Sequence, residues 1–116
     1  MENASHDRPA ILHALFDLRD GVAESEFKNV LEAFVDHLKA RGFATGLRMM
    51  WHKPMPEFAA KLPEFGYYAA IEFHNLDSAQ ACYDYVLERS EPALSLHRAM
   101  NAHVKAGAQF FVSADI

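Results

Sequence analysis

Strand-like segments of this chain sort polar from apolar residues by parity. One parity carries His13 and Asp17, then Arg48 and His52, then Glu72 and His74, then Gln109 and Ser113. The other carries Leu12, Ala14, Phe16 and Leu18, then Leu47, Met49 and Trp51, then Ile71 and Phe73, then Phe110 and Val112. Side chains alternate across a strand, so each set shares one face of a sheet. The apolar set predicts a core wall, and the polar set marks the face on which to look for a site.

Periodicity and punctuation order the elements. Residues 1–9 read as a mobile tail ending at Pro9, with a strand at about 10–18 and a turn at Asp20-Gly21. Phe27, Val30, Leu31, Phe34, Val35 and Leu38 then fall on one stripe of an amphipathic helix. Glu24 and Glu26 suit its N-terminal end, and Lys39 and Arg41 before Gly42 suit its C-terminal end. Strands follow at about 45–52 and from Tyr67 to His74. Between them lies a segment with Pro54, Pro56 and Pro63, in which 57–62 is expected to form a helical turn. A connection this long between paired strands often overhangs a site. Asp77 is the expected N-cap of the next helix, with Gln80 at the capping-box position and Leu76 stapling onto Ala81. Ser90 and Pro92 start a last helix, on which Leu94, His97, Asn101 and Val104 share a broad face. Gly107 ends it, and Ala108 to Ala114 forms the final strand.

Composition narrows the class. At 116 residues the chain is expected to be one domain over 10–116, and 51% hydrophobic with 23% charged residues is ordinary for a globular protein. No apolar run approaches the roughly 20 residues that span a bilayer, so no membrane partner is expected. The first residues lack the basic and apolar stretches of a signal peptide, which predicts a cytoplasmic address. Cys82, the one cysteine, lies at helical spacing from Ala79 and Val86 and reads as a small buried hydrophobe. A formal charge of −5 argues against a nucleic-acid partner, whose phosphates demand Lys and Arg. The polar parity also lacks the aromatic ladder of an RNA-binding sheet.

The order strand, helix, strand, strand, helix, strand predicts an α+β, ferredoxin-like fold: a four-stranded antiparallel sheet with its helices on one face. The polar parity then lies uncovered. Ile11, Leu15, Met50, Tyr68 and Phe111 share it, more apolar surface than a monomer usually exposes in one patch. A second copy is the expected cover, making a homodimer. The element order, the opening stretch from Ile11 to Leu18 and the stretch from Leu94 to Asn101 resemble the dimeric α+β barrel superfamily. Within it the chain looks most like the small stress-responsive barrels and uncharacterised bacterial ferredoxin-like groups. The resemblance implies that two open sheet faces close into one eight-stranded barrel. It covers cofactor-independent monooxygenases, cyclases and haem-degrading oxygenases, so the fold does not select a chemistry.

Candidate chemistry gathers on the open parity. His13, on a strand expected to be central, is the candidate general base, with Asp17 or Glu72 to fix its tautomer. A register with His52 opposite Tyr68 puts Arg48 opposite Glu72. That pair either sets dimer register as an ion pair or presents Arg48 to an anionic substrate oxygen. Asp17, Met50, Tyr68 and Phe111 are the candidate substrate contacts, while His52, His74 and Ser113 fall toward the rim. No short metal-binding spacing occurs, and no cofactor is expected. In haem-degrading relatives a histidine near the last helix ligates iron, which the resemblance would assign to His97. Trp51, on the apolar parity, departs from that family's catalytic pattern. The expected function is binding of a small molecule, as a cofactor-independent enzyme of cyclase or monooxygenase type acting on an aromatic or polyketide-like substrate by histidine-assisted proton transfer. The alternative is a non-catalytic stress-responsive or structural dimer whose polar residues satisfy one another.

Overall fold

The computed structural model describes residues 8–58, 61 and 63–116. Four strands, β1 (Ala10–Phe16), β2 (Ala44–Trp51), β3 (Tyr67–Phe73) and β4 (Gln109–Ala114), form one antiparallel sheet in the order β2-β3-β1-β4. Three helices, α1 (Glu24–Ala40), α2 (Leu76–Leu87) and α3 (Ala93–Asn101), complete the ferredoxin-like α+β arrangement, with the second helical connection broken into two pieces. Of the expected N-terminal tail, residues 1–7 lie outside the described residues. The helical turn expected over 57–62 is instead a 3-10 turn at Pro56–Phe58, and residues 59, 60 and 62 of that span lie outside the described set.

The apolar parity and the α1 stripe make the core. Phe16 and Phe73 from the sheet meet Phe27, Leu31, Phe34, Val35 and Leu38 from α1, all at most 5% exposed. Leu12, Ala14, Leu47, Met49 and Ile71 pack around them. Glu24 and Glu26 sit in the first turn of α1, and the Ala23 N–H donates to the Glu26 carboxylate at 3.3 Å. Gly42, at φ +82°, takes the left-handed conformation just past the helix end, where glycine carries no Cβ penalty.

Three local expectations are corrected. The cap of α2 is Asn75, whose side chain accepts the Ser78 N–H at 2.8 Å, and Asp77 lies in the first helical turn. Both residues have capping side chains, and the one at the end of extended backbone takes the position. At α3, Pro92 is the N-cap residue and Glu91 does the hydrogen bonding, its carboxylate accepting from the Ser95 N–H at 3.0 Å and Oγ at 2.8 Å. Those bonds favour the charged form and hold Glu91 below the ordinary carboxylate pKa. The core stripe of α3 is Ala93, Leu96 and Met100, so Leu94 does not share the inner face expected for it.

Candidate functional site

Two regions on opposite faces of the sheet gather the candidate groups. On the open face His13 is the centre. Its Nδ1 lies 2.5 Å from the Tyr68 hydroxyl and its Nε2 lies 2.6 Å from Ser113 Oγ. Its ring stacks on Phe111, with centroids 4.4 Å apart and planes 10° apart, and on Tyr68 at 5.8 Å. A neutral imidazole donates with one nitrogen and accepts with the other, and the two hydroxyls can meet either demand. Strand pairing builds this cluster: His13 faces Ala70 on β3 and Phe111 on β4, with Tyr68 and Ser113 as diagonal neighbours. Ser113, expected at the rim, is thus a direct partner of His13.

The other open-face candidates do not converge on it. Arg48 pairs with Ala70 and Met50 with Tyr68, while Glu72 pairs with Gly46, so the expected Arg48–Glu72 register is wrong. An irregularity between Ala44 and Gly46 offsets the two strands. Glu72 leans over Gly46, where an added Cβ would meet its Oε1 at 3.0 Å. Among the described residues neither Arg48 nor Glu72 has an ion-pair partner within 4 Å. Asp17 accepts the Gly66 N–H at 2.8 Å, which ties the end of β1 to the connection ahead of β3. Lys61, Pro63, Glu64 and Phe65 of that connection border an open recess of about 330 Å³ with Leu15 and Gln109.

The larger feature is on the helix face. A cavity of about 1060 Å³ lies between the sheet and all three helices, walled by Leu12, Ile71 and Phe73 below and by Leu31, Phe34 and Cys82 above. It opens beside β4, where Phe110 and Val112, on the parity expected to be core, are 63% and 50% exposed. The reason is in the helix layer. α3 packs mainly on α1, and α2 touches β1, β2 and β3, so neither helix covers β4. Tyr83 and Leu87 of α2 form the other exposed lip.

Few polar groups reach this space, among them His97 and Asn101 from α3. His97 is half-buried, its ring tilted against Phe34 at 5.4 Å, and desolvation lowers its pKa. The neutral imidazole therefore prevails at neutral pH, which is the form a general base needs. The Asn101 amide lies 3.5 Å from His97 Nδ1. It is the amide nitrogen that faces the ring, so Nδ1 accepts and the neutral ring carries its proton on Nε2. Cys82 in the same wall is 5% exposed, and burial pushes its thiol up to about 11, as befits the small buried hydrophobe expected. Among the described residues, no three His, Cys, Asp or Glu side chains are grouped to hold a metal ion.

A model for a family of unknown function, DUF6614, matches residues 10–111. The chain belongs to DUF6614. No curated protein matches its sequence. The DUF6614 chain is similar in structure to a mutant form of SnoaB, a cofactor-independent oxygenase from Streptomyces nogalater, at TM-score 0.63 and 11% identity, covering 94% of this chain and 93% of that one. A hydroxynitrile lyase from Passiflora edulis gives TM-score 0.64 at 9% identity, covering 95% of each chain. A dimeric ferredoxin-like protein of unknown function from Jannaschia sp. gives TM-score 0.63 at 12% identity, with 92% and 99% covered. At these identities the likeness establishes a shared fold. None of the helices in this DUF6614 structure is long and apolar enough to cross a membrane among the residues described.

Sequence reasoning placed its candidates on the open face of the DUF6614 sheet. It singled out His13 and treated His97 only as a candidate iron ligand, and it missed Gln80, Tyr83, Arg19 and Lys105 as cavity residues. Phe110 and Val112 lack a cover because α3 is nine residues long and packs with Ala93, Leu96 and Met100, a length and stripe that the sequence pattern did not display.

Proposed function

We propose that this protein binds a small, largely apolar molecule in the cavity between sheet and helices, and acts on it as a cofactor-independent enzyme through proton transfer at His97. The cavity carries this reading. A large apolar pocket with a few convergent polar groups, one of them a histidine kept neutral by burial, is the usual form of a ligand site. His97 Nδ1, held only by the loose 3.5 Å contact from the Asn101 amide nitrogen, would take a proton from an acidified carbon or hydroxyl of the ligand. The resulting anion can eliminate, cyclise or pass electrons to dioxygen. A cofactor-independent oxygenase and a lyase on the same fold are consistent with that range.

Two copies would pack their open faces into a barrel. Met50 and Phe111 stand exposed there, and β2 and β4 are the free edges that such closure would pair. Similar structures described as dimeric support this assembly. The buried, protonated Cys82 thiol suits a cytoplasmic address.

A second reading keeps His13 as the base inside that barrel, with Tyr68 and Phe111 against it and Arg48, Glu72, Asp17 and Met50 further out on the same face around the substrate. The short His13–Tyr68 contact favours it. Titration with the neutral fluorophore N-phenyl-1-naphthylamine separates the two. Saturable binding lost in Ala79→Phe, which fills the helix-face cavity, and retained in His13→Ala is the expected result. Binding that survives Ala79→Phe and vanishes in His13→Ala would move the site to the open face.

A further inference from the structure

The charge around the cavity runs against the charge of the chain. The protein has 16 acidic and 11 basic residues, yet among the described residues that line the cavity the charged ones are Arg19 and Lys105, and none is Asp or Glu. The fold brings these two cations to one corner. Leu18 makes an isolated antiparallel bridge to Val104, the Arg19 N–H donates to the His103 carbonyl at 2.9 Å, and the Lys105 N–H donates to the Asp17 carbonyl at 2.9 Å. The chain leaving β1 and the chain leaving α3 are therefore clamped together where the cavity meets solvent.

Among the described residues, neither cation is fully engaged. Arg19 Nε donates to the Val104 carbonyl at 3.1 Å, which anchors the guanidinium and leaves its four terminal N–H donors. Lys105 Nζ lies 3.5 Å from Asp20, a side chain 99% exposed, and so exposed a pair is weak and readily exchanged for a better anion. An anchored guanidinium has the planar fork that a carboxylate accepts bidentately.

Resting on the cavity reading above, we propose that the ligand is an amphipathic carboxylate. Its apolar body, a long acyl chain or a fused aromatic system, fills the space between sheet and helices, and its carboxylate docks at the Arg19–Lys105 corner. The volume of about 1060 Å³ stands at the upper end of small-molecule sites, which favours a long or polycyclic body over a compact one.

The test is displacement of N-phenyl-1-naphthylamine from the full chain by matched pairs: dodecanoate against dodecanol, and 2-anthracenecarboxylate against 2-anthracenemethanol. The carboxylate of at least one pair should displace the probe at about tenfold lower concentration than its alcohol, the gain of a charge-assisted contact. The pair showing the preference identifies chain or ring as the body. Arg19→Gln and Lys105→Gln should each reduce that preference, read as the acid-to-alcohol ratio within each variant, and Asp20→Asn, which removes the competing carboxylate, should increase it. Raising the salt concentration should shrink it. Equal displacement by acid and alcohol in both pairs would overturn the proposal and leave the cavity reading standing, as would a preference indifferent to Lys105→Gln and Asp20→Asn. Absence of any saturable probe binding would bring down both.

Discussion

The two faces of this sheet are built on opposite terms. The helix face is apolar and incompletely filled, with a cavity of about 1060 Å³ left between well-packed walls. The open face is flatter and more polar, and its central histidine is satisfied at both nitrogens by neighbours on β3 and β4. A histidine held that way resembles a finished structural joint, whereas His97, desolvated against Phe34 with one loose neighbour at 3.5 Å, is the less committed group. Polarity alone is therefore a poor guide to reactivity. What matters is which polar group still has a free valence and a space to use it in.

Mutations can break this contrast. The largest effect is expected at the helix-face core, where Phe27, 2% exposed and 5.0 Å from the Phe16 ring, should cost about 3–5 kcal/mol when cut to Ala. Phe111→Ala, at 51% exposure, should cost the monomer well under half of that. Urea unfolding of both variants at a concentration that keeps them monomeric checks the pair, and equal losses would erase the difference between the faces.

A smaller effect is expected at His13. His13→Ala strips the Tyr68 and Ser113 hydroxyls of their partner and should destabilise the fold by about 1–2 kcal/mol, with self-association in sedimentation weakened alongside. Unchanged sedimentation would detach this cluster from the interface.

His97 should show itself through pH. Its folded pKa lies below the ordinary 6.5, so as the pH falls below that value the unfolded chain takes up a proton that the folded one resists. Its contribution is fully present above about pH 6.5 and is lost as the pH drops toward the lowered folded value. In His97→Gln the stability curve should be flatter over that interval than in the wild type, and a curve of identical slope would count against the desolvated state. The smallest effect is expected at Gly46→Ala. The tight contacts of the new methyl are with the movable carboxylate end of Glu72, its Cβ lying at an ordinary 3.7 Å, so unfolding should change by no more than about 0.5 kcal/mol.

Much of the scaffold was legible in the residue pattern. The alternation along β1 and β3 and the Phe27–Leu38 stripe are each local periodicities with one way to bury them, and all three elements formed where expected. Register was not legible. The offset between Ala44 and Gly46 and a connection of many residues before β3 leave the β2–β3 pairing to tertiary contacts, which set Arg48 beside Ala70. Asn75 and Asp77 were two capping residues two positions apart, and backbone geometry decided between them. The open-face residues were found because strand parity displays them. The cavity was not, since its volume depends on α3 turning its short apolar stripe to α1 and leaving Phe110 and Val112 without a roof.

That missing roof matters before any ligand arrives. β4 is exposed at every position and ends the sheet, and its sequence Gln109–Ala114 contains no charge and no proline. Charges, prolines and bulges are what natural edge strands use to repel unwanted neighbours. Until something covers it, this strand offers other chains an unguarded edge on which to pair.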